Sequence, residues 1–124
     1  MPNNPVNWFE IYVNDMPRAK KFYETVLAVR LEKLEAPGDI EMWTFPMEQE
    51  GRGAGGALAK MTGAPVGGGG TMVYFRSEDC ATEAARVKTN GGKIIKDKVS
   101  IGQYGFMALA SDPDGNIFGI HSMK

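Results

Sequence analysis

The stretch Ser111-Asp112-Pro113-Asp114-Gly115-Asn116-Ile117-Phe118-Gly119-Ile120-His121 joins a tight turn to a short strand. Pro113 and Gly115 provide the fixed and the permissive backbone positions that a turn requires, and an aspartate such as Asp112 can bond its own backbone there. The strand that follows ends in the only histidine of the chain, the side chain that titrates closest to neutral pH. This stretch decides the fold because it closes the second half of an internal repeat.

Length and composition indicate one domain that spans residues 1–124. A chain of 124 residues is long enough to bury one core, and 43% hydrophobic with 23% charged residues is ordinary for a globular protein. The single cysteine, Cys80, cannot form an internal disulfide. We interpret it as a small apolar residue on a helix.

The charge and hydropathy patterns argue against two classes of partner. The formal net charge is −1 and Lys and Arg form no cluster, so we predict no nucleic-acid binding. No apolar run approaches membrane-spanning length, and the N-terminus lacks the basic and apolar segments of a signal peptide. These observations predict a cytoplasmic protein that does not bind membranes.

The first half of the chain predicts a strand, a helix and three further strands. Residues 6–13 alternate between apolar and mixed side chains, as a strand with one core face does. Asp15 is a candidate helix N-cap, and strand-like segments follow the helix at residues 29–35, 40–47 and 55–61. We expect the apolar stripe of the helix to be buried; it consists of Met16, Ala19, Phe22, Tyr23, Val26 and Leu27.

The same order of elements then starts again. Residues 71–77 alternate, and Asp79 is placed to cap a second helix. Three strand-like segments follow it, at residues 93–98, 104–110 and 116–121. Both halves therefore predict a strand–helix–strand–strand–strand unit.

The two halves align at an offset of 64 residues, which places Trp8-Phe9-Glu10-Ile11 over Met72-Val73-Tyr74-Phe75. An internal repeat is stronger evidence for architecture than any local signal. We therefore predict an α+β fold of two βαβββ modules, residues 6–61 and 71–121, connected by a glycine-rich joint at residues 62–70.

One glycine-rich segment matches the sequence pattern of a nucleotide-binding motif. Gly51-Arg52-Gly53-Ala54-Gly55-Gly56 fits the pattern G-x-G-x-x-G. That pattern binds a dinucleotide only when it opens a helix whose N-terminus faces the pyrophosphate, and here a strand follows. We predict neither a nucleotide nor any other cofactor.

The repeat, together with Ala19-Lys20-Lys21-Phe22-Tyr23 and Asp112-Pro113-Asp114-Gly115-Asn116, resembles the vicinal oxygen chelate superfamily of glyoxalase I, bleomycin-resistance proteins and extradiol dioxygenases. The match extends from Asn7 to His121. The resemblance implies that two βαβββ modules form a cupped, mainly antiparallel sheet around a cleft, with the helices outside. It also implies a homodimer, because members commonly pair subunits along exposed sheet edges.

The metal ligands of the superfamily's enzymes have no counterparts here. The positions that the resemblance assigns to ligands on the first strands are Trp8 and Met72, and the one on the last strand is Gly119. The remaining ligand would come from residues 55–61, which contain no Asp, Glu or His. Since such metals need imidazole or carboxylate ligands, we expect a site without a metal.

Alternation predicts which side chains line the cleft of such a fold. One face of the first and last strands is mainly apolar and should pack under the helices: Phe9, Ile11, Val73, Phe75, Phe118 and Ile120. Aromatic walls with a few polar groups are typical of small-ligand pockets. Gly119 would leave room where the metal enzymes have a ligand, and Trp43 would add a wall if it faces the cleft. The predicted ligand-binding residues are Trp8, Tyr12, Trp43, Met72, Tyr74, Arg76 and Gly119.

Glu10 and His121 fall on the same predicted face as these residues. If they lie within hydrogen-bond reach, the carboxylate would hold the imidazole tautomer and the two would form an acid–base pair. The alternatives are that Glu10 pairs with Arg76 and that His121 is a surface residue.

Three functions agree with these observations. The first is a metal-independent protein that binds a small, partly aromatic molecule, as bleomycin-resistance proteins do. The second is a lyase- or isomerase-like enzyme that uses Glu10 and His121 without a metal. The third is a structural or regulatory subunit with a vestigial cleft.

Overall fold

Each half of the chain folds into one α-helix and four strands. The computed structural model describes residues 4–48 and 50–124. The elements of the first half are β1 (Val6–Tyr12), α1 (Met16–Leu27), β2 (Glu32–Leu34), β3 (Glu41–Thr44) and β4 (Gly55–Lys60). Those of the second half are β5 (Thr71–Arg76), α2 (Cys80–Val87), β6 (Lys93–Ser100), β7 (Phe106–Ser111) and β8 (Ile117–Ser122). The predicted α+β fold of two βαβββ modules is confirmed.

Backbone contacts divide the chain into two units. Module 1 is Trp8–Thr71, and module 2 is Met72–Lys124 together with the described residues up to Asn7. The units meet within β1, between Asn7 and Trp8, and again between Thr71 and Met72. No helix in the described part of the chain is long and apolar enough to cross a membrane.

Module 1 has the strand order β2-β3-β4-β1, in which β1 runs parallel to β4 and the other pairs are antiparallel. Its core consists of Met16, Leu31 and Leu58, and half-buried side chains of β1, such as Ile11, pack against it. Asp15 caps α1 as predicted, because its Oδ1 accepts a hydrogen bond of 3.0 Å from the N–H of Arg18.

The expected burial of the whole α1 stripe is wrong. Met16 is 2% exposed, whereas Phe22 is 57% exposed, and Val26 and Leu27 are exposed as well. Ala19 and Tyr23 pack against the core with Met16 because they lie three and seven residues further on, on the same helix face. The apolar stripe of α1 is therefore wider than the part of the helix surface that packs against the core of module 1.

Module 2 repeats this topology with the order β5-β8-β7-β6 and a parallel pair formed by β5 and β8. The internal repeat read from the sequence is thus a repeat of strand order. Cys80 is fully buried in the core of the module, as expected for an apolar helix residue, and its backbone N–H donates to Ser122 Oγ at 3.0 Å. The same core contains Ala84, Ala108 and Ile120, with Ile94, Phe106 and Phe118 packed against it.

Two predicted core residues of β5 are less buried than expected. Val73 and Phe75 remain partly exposed, although the Phe75 ring meets the ring of Phe118 edge-on at 5.7 Å. Phe118 and Ile120 pack in the core of module 2, as predicted.

The turn before β8 is built as its sequence predicts. Asp112 Oδ1 accepts hydrogen bonds of 2.9 Å from the backbone N–H groups of Asp114 and Asn116, and Gly115 has a φ of 88°. Bonds from Asn116, chiefly from its side chain, lower the pKa of Asp112. This turn sets the register of β7 and β8, in which Leu109 pairs with Gly119.

Candidate functional site

Three predicted site residues of β1 form one hydrogen-bonded group in module 1. Glu10 is only 4% exposed, and its Oε1 accepts from the Tyr12 hydroxyl at 2.7 Å. Its Oε2 accepts from Trp8 Nε1 at 3.0 Å. Residues two apart on a strand share a face, so alternation alone brings the three side chains together. The group is a buried acid with a donor on each oxygen.

Tyr12 has an unusual phenol in this group. Burial raises the pKa of Tyr12 well above its ordinary value, and the charge of Glu10 and the hydrogen bond to it act in the same direction. The proton therefore stays on the Tyr12 oxygen, which fixes the phenol as donor and Glu10 as acceptor.

A pocket of about 360 Å³ adjoins Tyr12 at the end of β1. We call it the Tyr12 pocket. Its lining residues include the aromatic residues Tyr12 and Tyr23, the apolar Val66 and the basic Arg18. The remaining lining residues are Ile11, Val13, Asn14, Asp15, Ala19, Gly67, Gly70 and Thr71.

The glycine-rich joint forms one side of the Tyr12 pocket. The backbone N–H of Tyr12 donates to the carbonyl of Gly70 at 2.7 Å, and the N–H of Gly70 donates to the carbonyl of Gly67 at 2.8 Å. A Cβ at Gly70 would come within 2.9 Å of the Gly67 backbone nitrogen. The joint therefore packs closely on the end of β1, which the glycine composition alone did not indicate.

Trp43 lies on the other face of the module 1 sheet from Glu10. It pairs with Leu58 across β3 and β4 and packs against the core of the module, and Lys20 Nζ of α1 lies 3.4 Å from the centre of its ring. The interpretation of Trp43 as a cleft wall therefore has no support, and we omit it from the site.

Tyr74 and Gly119 are paired neighbours on β5 and β8 of module 2. A Cβ added at Gly119 would overlap the ring of Tyr74, which is itself buried. The expectation that Gly119 leaves room for a ligand is thus corrected, because the tyrosine ring fills that room. Met72, two residues earlier on β5, is half-buried.

The first strand of module 1 has a looser contact between a glycine and an aromatic ring. Trp8 pairs with Gly55 of β4, and a Cβ at Gly55 would lie 3.5 Å from carbons of the indole ring. Within residues 4–48 and 50–124, no group of three or more His, Cys, Asp and Glu side chains is placed to hold a metal ion. Of the positions that the superfamily resemblance assigns to ligands, one holds the aromatic residue Trp8, and another, Gly119, lies against the ring of Tyr74.

His121 is held by two hydrogen bonds within module 2. Its Nε2 lies 2.6 Å from the carbonyl oxygen of Tyr104, and its Nδ1 lies 3.2 Å from Nδ2 of Asn7. A carbonyl oxygen only accepts, so Nε2 bears a proton, and Nδ1 accepts from the Asn7 amide.

A second pocket, of about 470 Å³, adjoins this histidine. We call it the His121 pocket. Arg76 and Asn7 contribute to it, and Arg76 pairs with His121 in the register of β5 and β8. The other lining residues are Ser77, Glu78, Ser122, Met123 and Lys124.

The predicted site residues are thus divided between the modules. Trp8, Glu10 and Tyr12 form the group in module 1, whereas Arg76 and His121 line a pocket in module 2. Sequence reasoning missed Asn7 and Arg18. No local signal distinguishes Arg18 from the other exposed cations of a helix, or Asn7 from a polar strand residue.

Known proteins have sequences similar to this chain. Residues 6–120 match the Glyoxalase/Bleomycin resistance protein/Dioxygenase superfamily. A glyoxylase-like domain-containing protein of Didymella fabae is 29% identical over 80% of this chain and 77% of its own length. The Mycobacterium bovis protein CFP32, provisionally assigned as a glyoxylase, is 30% identical over 91% of this chain, which spans 42% of that protein.

Solved structures agree with the fold. A Bacillus halodurans protein, BH1468, superposes with a TM-score of 0.71 at 15% identity over 96% of this chain and 94% of its own. A Streptomyces coelicolor methylmalonyl-CoA epimerase bound to 2-nitronate-propionyl-CoA gives 0.69 at 12% identity over 98% and 95%. Because the family match covers nearly the whole chain and both modules have the expected strand order, this protein belongs to the Glyoxalase/Bleomycin resistance protein/Dioxygenase superfamily.

Proposed function

We propose that this protein binds a small, partly aromatic molecule without a metal ion, and that the Tyr12 pocket is the binding site. The observation that supports this most is the combination of two tyrosines and one arginine around a pocket of about 360 Å³. Pockets for small molecules commonly have volumes of about 300–1,000 Å³ and combine aromatic walls with a few polar groups.

The lining residues favour an aromatic carboxylate as ligand. An aromatic ring would lie against Tyr23 and Val66, and the Arg18 guanidinium would bind the carboxylate through paired N–H donors. The backbone N–H of Arg18 already donates to Asp15, while no ion pair engages its side chain among the residues that the structure describes. The proposal therefore rests on a cation beside aromatic surface.

The metal-free part of the proposal has separate support. The ring of Tyr74 occupies the space beside Gly119, and the Glu10 carboxylate accepts hydrogen bonds from Trp8 and Tyr12. A metal ion at either place would require these side chains to move. The methylmalonyl-CoA epimerase complex named above supports a small-molecule ligand for this fold, although a shared fold does not identify the ligand.

Titration with benzoate, followed by NMR, tests the proposal. The Trp8 indole N–H donates to Glu10, and Glu10 also accepts a hydrogen bond from Tyr12. The NMR signal of the Trp8 indole N–H therefore reports on the Tyr12 pocket. A Trp43→Phe variant distinguishes the signals of the two tryptophans. We expect a saturable shift of the Trp8 signal, and at least about tenfold weaker binding in Arg18→Gln, since the charge-assisted hydrogen bonds are lost.

Arg30→Gln is the matched control, because Arg30 is exposed and does not line the pocket. Benzoate should bind this variant as it binds the wild type. Equal affinities of wild type and Arg18→Gln, or no saturable shift at all, would contradict the proposal.

We also propose the homodimer that the superfamily resemblance implies. Sedimentation velocity at micromolar concentration measures it directly. A monomer under those conditions would remove this proposal and leave the ligand proposal unaffected, because every residue lining the Tyr12 pocket belongs to one chain.

A further inference from the structure

Pro65 and Val66 lie between two hydrogen-bonded turns of the glycine-rich joint. The first turn spans residues 61–64, where an N–H donates to a carbonyl at 3.2 Å, and the second spans residues 67–70, where the distance is 2.8 Å. Proline has a fixed φ and also restricts the residue before it. The segment between the turns is therefore stiffer than the chain on either side of it.

Each of the two turns contains a glycine that can act as a hinge. Gly63 in the first turn has a φ of 85°, and Gly67 in the second has a φ of 80°. A Cβ at either position would meet nothing within 4 Å, so the space beside both glycines is open. Glycine changes its backbone angles at little steric cost, and hinges of moving loops consist of a few such residues.

The joint is attached to module 1 at its two ends. At its far end Gly70 is buried, and its carbonyl accepts a hydrogen bond of 2.7 Å from the backbone N–H of Tyr12. Residues 65–69 are exposed, and within the described part of the chain no hydrogen bond connects them to β1 or α1. The middle of the joint can therefore move while both ends stay in place.

Val66 is the apolar side chain of the stiff segment. It lines the Tyr12 pocket together with Tyr23 and Arg18 of α1, yet it is 39% exposed. Apolar surface gains free energy when it leaves water, and an aromatic ring in the pocket would offer Val66 a surface to pack on. A bound ring therefore favours movement of the stiff segment toward the pocket.

We infer that residues 65–69 form a flap that is open in the free protein and closes over the ligand of the Tyr12 pocket, with Val66 against the ligand. The inference rests on the proposed binding of an aromatic carboxylate in this pocket. Closure excludes water from the contact between the carboxylate and Arg18, and a charge-assisted hydrogen bond is stronger where water is excluded. The flap thus couples burial of the ring to recognition of the charge.

Nitrogen-15 NMR relaxation measures the movement of the flap directly. In the free protein, we expect backbone order parameters below about 0.6 for residues 66–69 and about 0.85 for Tyr12, whose N–H is hydrogen-bonded. Saturating benzoate, judged by the Trp8 indole signal, should raise the values of residues 66–69 toward about 0.85. Gly38 is the internal control, because it is an exposed glycine of positive φ outside the pocket, and its value should not change.

Val66→Ser tests the contact between the flap and the ligand. We expect it to bind benzoate about threefold to tenfold more weakly than the wild type, because apolar surface that would be buried on closure is lost. Val26→Ser is the matched control, since Val26 is an exposed valine of α1 that does not line the pocket, and its benzoate affinity should equal that of the wild type.

Three results would overturn the flap without affecting the proposed ligand site. The first is an order parameter near 0.85 for residues 66–69 in the free protein, which would show a rigid wall. The second is a joint that stays mobile when the Trp8 signal shows saturation with benzoate. The third is equal benzoate affinity of Val66→Ser and the wild type. Absence of any saturable Trp8 shift would instead remove the proposed function and the flap together.

Discussion

The ring of Tyr74 occupies the space that a side chain at residue 119 would need. Tyr74 and Gly119 are paired across the parallel strands β5 and β8, and a Cβ at Gly119 would overlap the tyrosine ring. The superfamily resemblance assigns a metal ligand to this last-strand position. In this chain that position is a glycine and the ring of Tyr74 fills the space beside it, so an acidic residue at position 119 would require Tyr74 to move.

Gly119→Ala should therefore destabilise the protein. Adding a methyl group to a filled site costs about 1–3 kcal/mol in the free energy of unfolding, since the ring must leave its preferred position. Urea denaturation measures the change. Gly68→Ala is the control, because a Cβ at Gly68 meets nothing within 4 Å. If overlap with the ring is the cause, Gly119→Ala should cost much less in a Tyr74→Ala background. If the losses of unfolding free energy from Gly119→Ala and Tyr74→Ala simply add in the double mutant, that explanation is contradicted.

Substitutions on α1 should separate its buried residues from its exposed ones. Met16→Ala should lower the free energy of unfolding by about 2–5 kcal/mol, as expected for a large buried side chain. Phe22→Ala should cost about 1 kcal/mol or less, because most of that ring is exposed and its described ring contact is with Tyr23. Equal urea midpoints for the two variants would contradict this assignment of faces.

The Tyr12–Glu10 bond should appear in the pH dependence of stability. The pKa of Tyr12 is raised in the folded protein, so the folded state keeps a proton that the unfolded state loses above the ordinary phenol pKa of about 10. The stability that Tyr12 contributes is present in full below about pH 10 and is lost as the pH rises above that value. Between roughly pH 9 and pH 11, wild-type stability should fall more steeply than that of Tyr12→Phe.

The same variant tests the hydrogen bond at neutral pH. Tyr12→Phe leaves Glu10 Oε1 without the phenol donor inside the protein, which should cost about 1–3 kcal/mol. Tyr104→Phe is the control, because Tyr104 is exposed and His121 binds its backbone and not its hydroxyl. Identical pH slopes for wild type and Tyr12→Phe would show that the Tyr12 pKa is not raised.

Elemental analysis should find no stoichiometric zinc, nickel, iron or manganese in the purified protein. The reason is the pair of features described above, namely the ring beside Gly119 and the hydrogen-bonded carboxylate of Glu10. A chelator should leave the melting temperature unchanged. One tightly held metal ion per chain would refute the metal-free proposal and make Glu10 and His121 candidate ligands.

Several features of the site were predictable because they depend on residues close together in the chain. The alternation of β1 is sufficient to place Trp8, Glu10 and Tyr12 on one face, since strand residues two apart always share a face. The hydrogen bonds of Asp112 follow from the turn sequence itself, because donor and acceptor lie within four residues. The hydrogen-bond partners of His121 were not predictable, since Asn7 is 114 residues away along the chain.

The sequence by itself determined the two βαβββ modules, the order of their elements, the cap of α1 and the turn before β8. These follow from periodicity, from capping and turn residues and from an internal repeat, all of which are local or self-similar patterns. Only the tertiary structure decided that Trp43 packs under α1, that Phe22 stays exposed and that Tyr74 fills the space at Gly119. Alternation defines two faces of a strand, but the register of its neighbours decides which face is buried and what fills the space beside a glycine.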